Sequence, residues 1–163
     1  MKKIVSILLT VAMAATLLVG CGNDDKTLIV GFDAEYPPYG YMDENGDYTG
    51  FDLELAAEVC KLEGWTLKKQ PINWDNKDNE LKSGSIDCIW NGMSATEERQ
   101  QSMSLTKKYL NNEIIIMLAE GVTVNSKADL ANLRIATQEG SAALECMEAD
   151  AEYNSFKDKI TTL

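Results

Sequence analysis

Histidine is absent from all 163 residues. With it go the Ser-His and Cys-His nucleophile pairs, the commonest general base and the commonest zinc ligand. Cysteine is sparse, with Cys21, Cys60, Cys88 and Cys146 and no C-x-x-C spacing, which argues against a redox or zinc motif. No phosphate-binding glycine loop occurs, and nothing is repetitive or low in complexity. Positive charge is also scarce: 15 Lys and Arg stand against 26 Asp and Glu, a net charge of −11. Nucleic acid needs a basic face, so this balance argues against it as a partner. The same charge keeps the surface soluble and off anionic lipid.

One long apolar stretch is present, from Ile4 to Gly20, broken by Ser6, Thr10 and Thr16 and preceded by Lys2 and Lys3. A charged start, an apolar middle and a small-residue exit form an export signal over residues 1–20. As a membrane span the stretch is short, and Asn23, Asp24 and Asp25 follow it rather than the positive charges that hold a stop-transfer helix. The end of the run, Leu18-Val19-Gly20-Cys21, resembles a bacterial lipobox. That resemblance implies cleavage before Cys21, acylation of its thiol, and an extracytoplasmic protein held to the cell membrane by a lipid anchor, with 21–26 as a tether. Ordinary secretion with a chance cysteine is the alternative. Removal of the signal leaves 143 residues with 13 basic and 26 acidic side chains, one ordinary domain or two small lobes with room for a core. Cys60, Cys88 and Cys146 are then odd in number. Cys60 falls on the apolar face of a helix and Cys88 in an apolar strand, which favours buried free thiols over a Cys60–Cys88 bridge.

Periodicity organises the rest. Thr27 to Phe32 is a short apolar run that stops at Asp33 and a turn-rich segment, as a buried strand does. Tyr39 to Phe51 reads as a hairpin around Glu44–Asp47. Asp43, Asn45, Asp47 and Glu54 imitate a calcium loop, but its sixth position must be Gly and is Tyr48, so no metal is expected. Leu53, Ala56, Ala57, Val59, Cys60 and Leu62 recur at helical spacing before Gly64. Strands follow over 65–72 and 86–90, with a short helix over 78–83 between them. A helix over 96–102 and a strong strand over 113–118 come next. After Gly121 the pattern restarts with a short helix (127–131), a strand (134–137), a longer helix (141–152) and the start of a strand at Ile160. Alternating strands and helices predict an α/β fold with parallel sheet. Ligands of such sheets bind just beyond the carboxyl ends of strands, which singles out 33–36, Trp74, 91–96 and 138–141.

Three runs, G-F-D-A-E-Y-P-P-Y (31–39), G-F-D-L-E-L-A (50–56) and S-G-S-I-D-C-I-W-N-G-M-S-A-T-E-E-R (83–99), resemble the amino-acid-binding subunits of bacterial ABC importers, solute-binding family 3. The resemblance covers residues 27–163. It implies a type II periplasmic-binding-protein-like fold of two lobes: 27–112 as lobe 1, 113–119 as a hinge strand, and 120–163 as part of lobe 2. It also implies a monomer that captures an amino acid without a cofactor and delivers it to a permease and its ATPase.

Arg99 lies three residues after Thr96, in the first turn of its helix, where a cation opposes the macrodipole. A residue placed against its local rule is where function is expected. The resemblance gives it the ligand's α-carboxylate, which a planar guanidinium grips bidentately. A surface pair with Glu97 or Glu98, or a capping box from Ser94 to Glu97, is the competing reading. By the same resemblance Gly92 and Ser94 meet the α-ammonium, Tyr36 and Trp74 sandwich the side chain, and Asp33 touches its polar end, leaning toward a polar amino acid. Gln138, Gly140 and Ser141 close from lobe 2 with backbone N–H groups at a helix N-terminus. Gly92 as a plain turn, Asp33 as a cap of the Tyr36–Pro37 turn, and core roles for the two rings remain open. The chain stops before the family's crossover back to lobe 1 and before a second-lobe aspartate that pairs with the ammonium, so weak binding or none is expected of it. Two other functions fit the fold, a sensor module on a receptor or kinase and a dehydratase; the second lacks any poised acid–base pair.

Overall fold

In a computed structural model describing residues 26–163, the run T-L-I-V-G-F forms β1 (Thr27–Phe32). The export signal, Cys21 and all of the tether but Lys26 lie outside the described residues. β1 is the middle strand of a parallel sheet, flanked by β5 (Thr66–Pro71) and β6 (Cys88–Ile89). A central parallel strand is covered on both faces, which is why its sequence is continuously apolar and not alternating.

Between β1 and β5 the chain makes an antiparallel meander and then a helix. The meander is β2 (Glu35–Tyr36), β3 (Gly40–Met42) and β4 (Tyr48–Thr49). Its tight turn is an Asx turn: the Asp43 carboxylate accepts the N–H groups of Asn45 and Asp47, each at 2.9 Å. That is the work of the acidic residues that imitate a calcium loop. Helix α1 (Phe51–Glu63) buries Leu53, Ala56 and Cys60 on one face and ends at Gly64 in the left-handed conformation. Val30 and Phe32 from the sheet meet Leu53 and Ala56 from the helix to form the core.

A 3-10 turn (Trp74–Asn76) and α2 (Lys77–Ser83) lead into β6, and α3 (Glu97–Ser102) follows it. Farther on, a 3-10 turn (Lys127–Asn132) is capped reciprocally by Ser126 and Asp129. β7 (Ile135–Thr137) then pairs in parallel with β8 (Ile160–Thr162), with α4 (Ala142–Glu148) and α5 (Tyr153–Phe156) between them. Leu130, Ala142, Leu144 and Phe156 are the buried hydrophobic side chains of this part.

Three expectations need correction. The hinge strand over 113–119 does not form, and Ile114 to Leu118 are exposed, Met117 most of all at 89%. A β-branched run favours a strand only where an edge is there to pair with, and among the described residues none does. The helix over 141–152 breaks after Glu148, because Asp150 turns its carboxylate to the Glu152 N–H at 2.9 Å and to Lys127. The strand over 86–90 narrows to two residues, although the N–H groups of Asp87 and Trp90 still bond the carbonyls of Ile29 and Gly31. Cys60 and Cys88 are free thiols, as is exposed Cys146, and burial followed by the Asp87 charge pushes the Cys88 thiol up to about 11.

Leu53 is wholly buried and Ile115 is 72% exposed. Leu53→Ala should therefore cost about 2–5 kcal/mol in urea unfolding, whereas Ile115→Ala should stay within about 0.5 kcal/mol. Equal losses would show that the 114–118 segment packs in solution.

Candidate functional site

The carboxyl ends of β1, β5, β6 and β7 release four loops toward one cleft of about 520 Å³, a size suited to a small solute. Eight of the nine residues singled out in the sequence line it: Asp33, Tyr36, Trp74, Gly92, Ser94, Arg99, Gln138 and Ser141. Gly140 does not line it as such, but its carbonyl enters the cluster described below.

The loop after β1 is ordered by Asp33. One carboxylate oxygen accepts the Glu35 N–H at 2.9 Å and the other accepts the Gln138 amide at 2.6 Å, while the Asp33 N–H donates to Asn91 at 2.9 Å. Asp33 is thus a local cap and a bridge across the cleft at once. Tyr36 stacks on Tyr39 with ring centroids 5.4 Å apart, and the Pro37–Pro38 bond between them is cis. Trp74 is 8% exposed, and the Lys77 ammonium lies 5.4 Å from its ring centroid.

The loop after β6 carries the strongest backbone requirement. Gly92 sits at φ +58°, and a Cβ there would fall 3.1 Å from the Tyr39 ring and 3.3 Å from that of Tyr36. Glycine lets the loop pass under the two tyrosines. Ser94 Oγ accepts from the Asn112 amide at 2.8 Å. The N-cap of α3 is Thr96, whose hydroxyl accepts the Arg99 N–H at 3.3 Å; the Ser94 capping box does not form.

Arg99 is not a surface residue. It is 4% exposed and pairs with neither Glu97 nor Glu98. Nη1 donates to the Ser94 carbonyl at 3.2 Å, and Nη2 donates to the Gly140 carbonyl at 3.1 Å and to Glu145 Oε1 at 2.6 Å. Its Nε has no partner. Lys77 Nζ reaches the same Gly140 carbonyl at 3.0 Å. Burial, then the Arg99 charge, holds the Lys77 ammonium below the ordinary lysine value. Ser141 caps α4 by accepting the Leu144 N–H at 3.2 Å. Gly140 therefore presents a carbonyl to the cations, where an N–H was expected.

Sequence reasoning missed Lys77 and Glu145. Lys77 opens α2 and opposes the macrodipole there, the same signal that marked Arg99, and it was legible. Glu145 lies in the first turn of α4, where an acid obeys the rule, so nothing marked it. Behind the Gly92 loop, Asp52 is fully buried and accepts the Tyr109 hydroxyl at 2.9 Å. Burial raises the Asp52 carboxyl, partly offset by the Tyr109 hydroxyl and the Gly92 N–H.

A model of the bacterial extracellular solute-binding proteins, family 3, matches residues 28–162. A probable histidine-binding protein of Campylobacter jejuni is 32% identical across 97% of this chain and 67% of its own length. An L-arginine-binding protein of Pseudomonas aeruginosa is also 32% identical, across 73% of this chain and 46% of its own. Among solved structures, the ancestral amino acid-binding protein AncCDT-1, a precursor of cyclohexadienyl dehydratase, superposes with a TM-score of 0.70 at 30% identity, covering 84% of this chain and 60% of that one. The chain thus spans between 46% and 67% of the two curated relatives it is set beside.

Because the folded state raises the Asp52 pKa, this group stabilises the fold below its unfolded value of about 3.9, and that contribution is lost as pH rises through the folded value. Asp52→Asn removes the titration. The stability of the variant relative to wild type should therefore increase between about pH 4 and pH 7, measured by urea unfolding. A difference that stays flat or falls over that window would mean that Asp52 is not desolvated.

Proposed function

The chain belongs to family 3 of the bacterial extracellular solute-binding proteins, and on that premise we propose that it captures a polar amino acid outside the cytoplasm for an ABC permease and its ATPase. The observation that carries this reading is a buried guanidinium with an unused donor on the wall of a solute-sized cleft. Arginine keeps its charge, so burying it demands anionic or carbonyl partners. A ligand carboxylate is the partner that makes the burial useful.

The ligand's α-carboxylate sits on Arg99, its α-ammonium meets the Gly92 carbonyl and the Ser94 hydroxyl, and its side chain lies between Tyr36 and Trp74 with Asp33 at the polar end. Gln138, Gly140 and Ser141 form the opposite wall. In this scheme 27–112 is one lobe and 120–163 part of the other, and they close about the extended 113–119 segment. Closing desolvates the charge-assisted bonds, each contributing about 1.5–3 kcal/mol. The protein acts as a monomer and not as an enzyme. Asp33 is engaged by Gln138 and Glu145 by Arg99; Glu113 also lines the cleft, a single remaining carboxylate and not an acid–base pair for a dehydratase. Among the described residues no helix is long and apolar enough to cross a membrane, and acylated Cys21 supplies the attachment.

L-Histidine and L-arginine at millimolar concentration should raise the melting temperature of the chain. Arg99→Ala should abolish that rise, and a rise equal to wild type would remove the carboxylate from Arg99. Cys21→Ala should release the protein from cells into the medium, read by fractionation and immunoblot; retention in the membrane fraction would refute the anchor.

A further inference from the structure

The partner that Arg99 already holds has the chemistry of the ligand group assigned to it. Glu145 Oε1 lies 2.6 Å from Nη2, and the side chain is 21% exposed against 5% for the arginine. The pairing is one-sided. Arg99 Nε and Glu145 Oε2 are both buried and both without a partner, so the fork of the guanidinium meets one carboxylate oxygen where it can hold two. A carboxylate free to turn in the cleft can use both donors; one tethered to α4 uses one.

The surroundings give the displaced side chain a destination. Arg99 Nη2 and Lys77 Nζ converge on the Gly140 carbonyl at 3.1 and 3.0 Å. A second cation therefore stands beside the first, and a carboxylate leaving Arg99 need not be stranded in the cleft, which would be costly. Asp75 and Asp78 also bear on Lys77 electrostatically, but neither forms an ion pair with it. The Lys77 ammonium donates to a neutral carbonyl and keeps N–H groups to spare.

We propose that Glu145 is an internal competitor for the carboxylate seat on Arg99: a ligand carboxylate binds by displacing it, and Glu145 shifts toward Lys77. This rests on the amino-acid reading of the cleft and adds a residue that sets its affinity. A seat open for about a tenth of the time weakens apparent binding about tenfold. Acidic ligands gain least, because Asp33 and Glu113 line the cleft and Glu145 stays beside it.

The test is Glu145→Gln, which keeps the shape and one acceptor but lacks the charge that holds Arg99, with Glu145→Ala as a second variant should the first unfold. Sodium acetate serves as the probe of the bare seat, against sodium chloride at equal ionic strength. It should raise the melting temperature of the variant and not of wild type, and the added Arg99→Ala change should remove the rise. L-Histidine and L-arginine, titrated calorimetrically, should bind the variant at least about tenfold more tightly than wild type. Equal affinities for wild type and variant, or an acetate response that is the same in both, overturn the competitor role while leaving amino-acid capture standing. An acetate response confined to the variant, with no amino acid bound by either protein, keeps the competitor and overturns amino-acid capture.

Discussion

A guanidinium that is 4% exposed cannot shed its charge by titrating, so everything around it must be arranged to keep it paired. The cost of leaving such a group alone is several kcal/mol. Three oxygens from three places share the load: the Ser94 carbonyl before α3, the Gly140 carbonyl after β7, and the Glu145 carboxylate on α4. Two of the three come from residues more than forty positions away in sequence. One side chain thereby ties the loop after β6 to the helix after β7, and the cleft between them exists because that tie is made of polar groups on facing walls, not of packed hydrocarbon.

The sheet supplies what the tie needs, a common edge. β1, β5 and β6 run parallel, so their carboxyl ends lie together, and the loops that leave them start from a rigid frame. β1 is anchored by Val30 and Phe32 against Leu53 and Ala56. Asp33, the next residue, is therefore fixed in place before any cleft contact is made. Asn91 is held in the same way: it is buried and receives the Asp33 N–H, which couples the first loop to the third. Gly92 follows directly, and its positive φ is the one conformational demand that a larger residue in this loop meets only with strain.

Much of this was written locally. β1, the α1 face, the Gly64 stop, the Thr96 cap and the position of Arg99 against its helix dipole all follow from spacing and capping within a dozen residues. The 113–118 run was misread because strand propensity describes a side chain that fits a sheet, and a sheet needs an edge brought by some other part of the chain. The α4 break was missed because Asp150 gives its carboxylate to Lys127, twenty-three positions away in sequence. Glu145 was invisible for the opposite reason. It satisfies its helix, so no local rule is broken, and its importance comes entirely from a residue forty-six positions away.

The charge inside the cleft differs from the charge around it. The chain carries −11 overall, yet in and beside the cleft Arg99 and Lys77 stand against Asp33, Glu113 and Glu145, a formal balance of only −1. A surface field of that sign repels anions at long range but is screened within about 8 Å at physiological salt. Inside, where screening is weak, fixed pairs decide. On the proposed seat, a zwitterion entering this set can exchange partners one for one, its carboxylate against Glu145 and its ammonium against the backbone carbonyls, without leaving any buried charge alone. A dianion finds no such exchange, because among the described residues Arg99 is the only cation lining the cleft and three carboxylates, Asp33, Glu113 and Glu145, already stand nearby. On the proposed function, discrimination comes less from a pocket shaped to one side chain than from the requirement that every buried charge stay paired before and after binding.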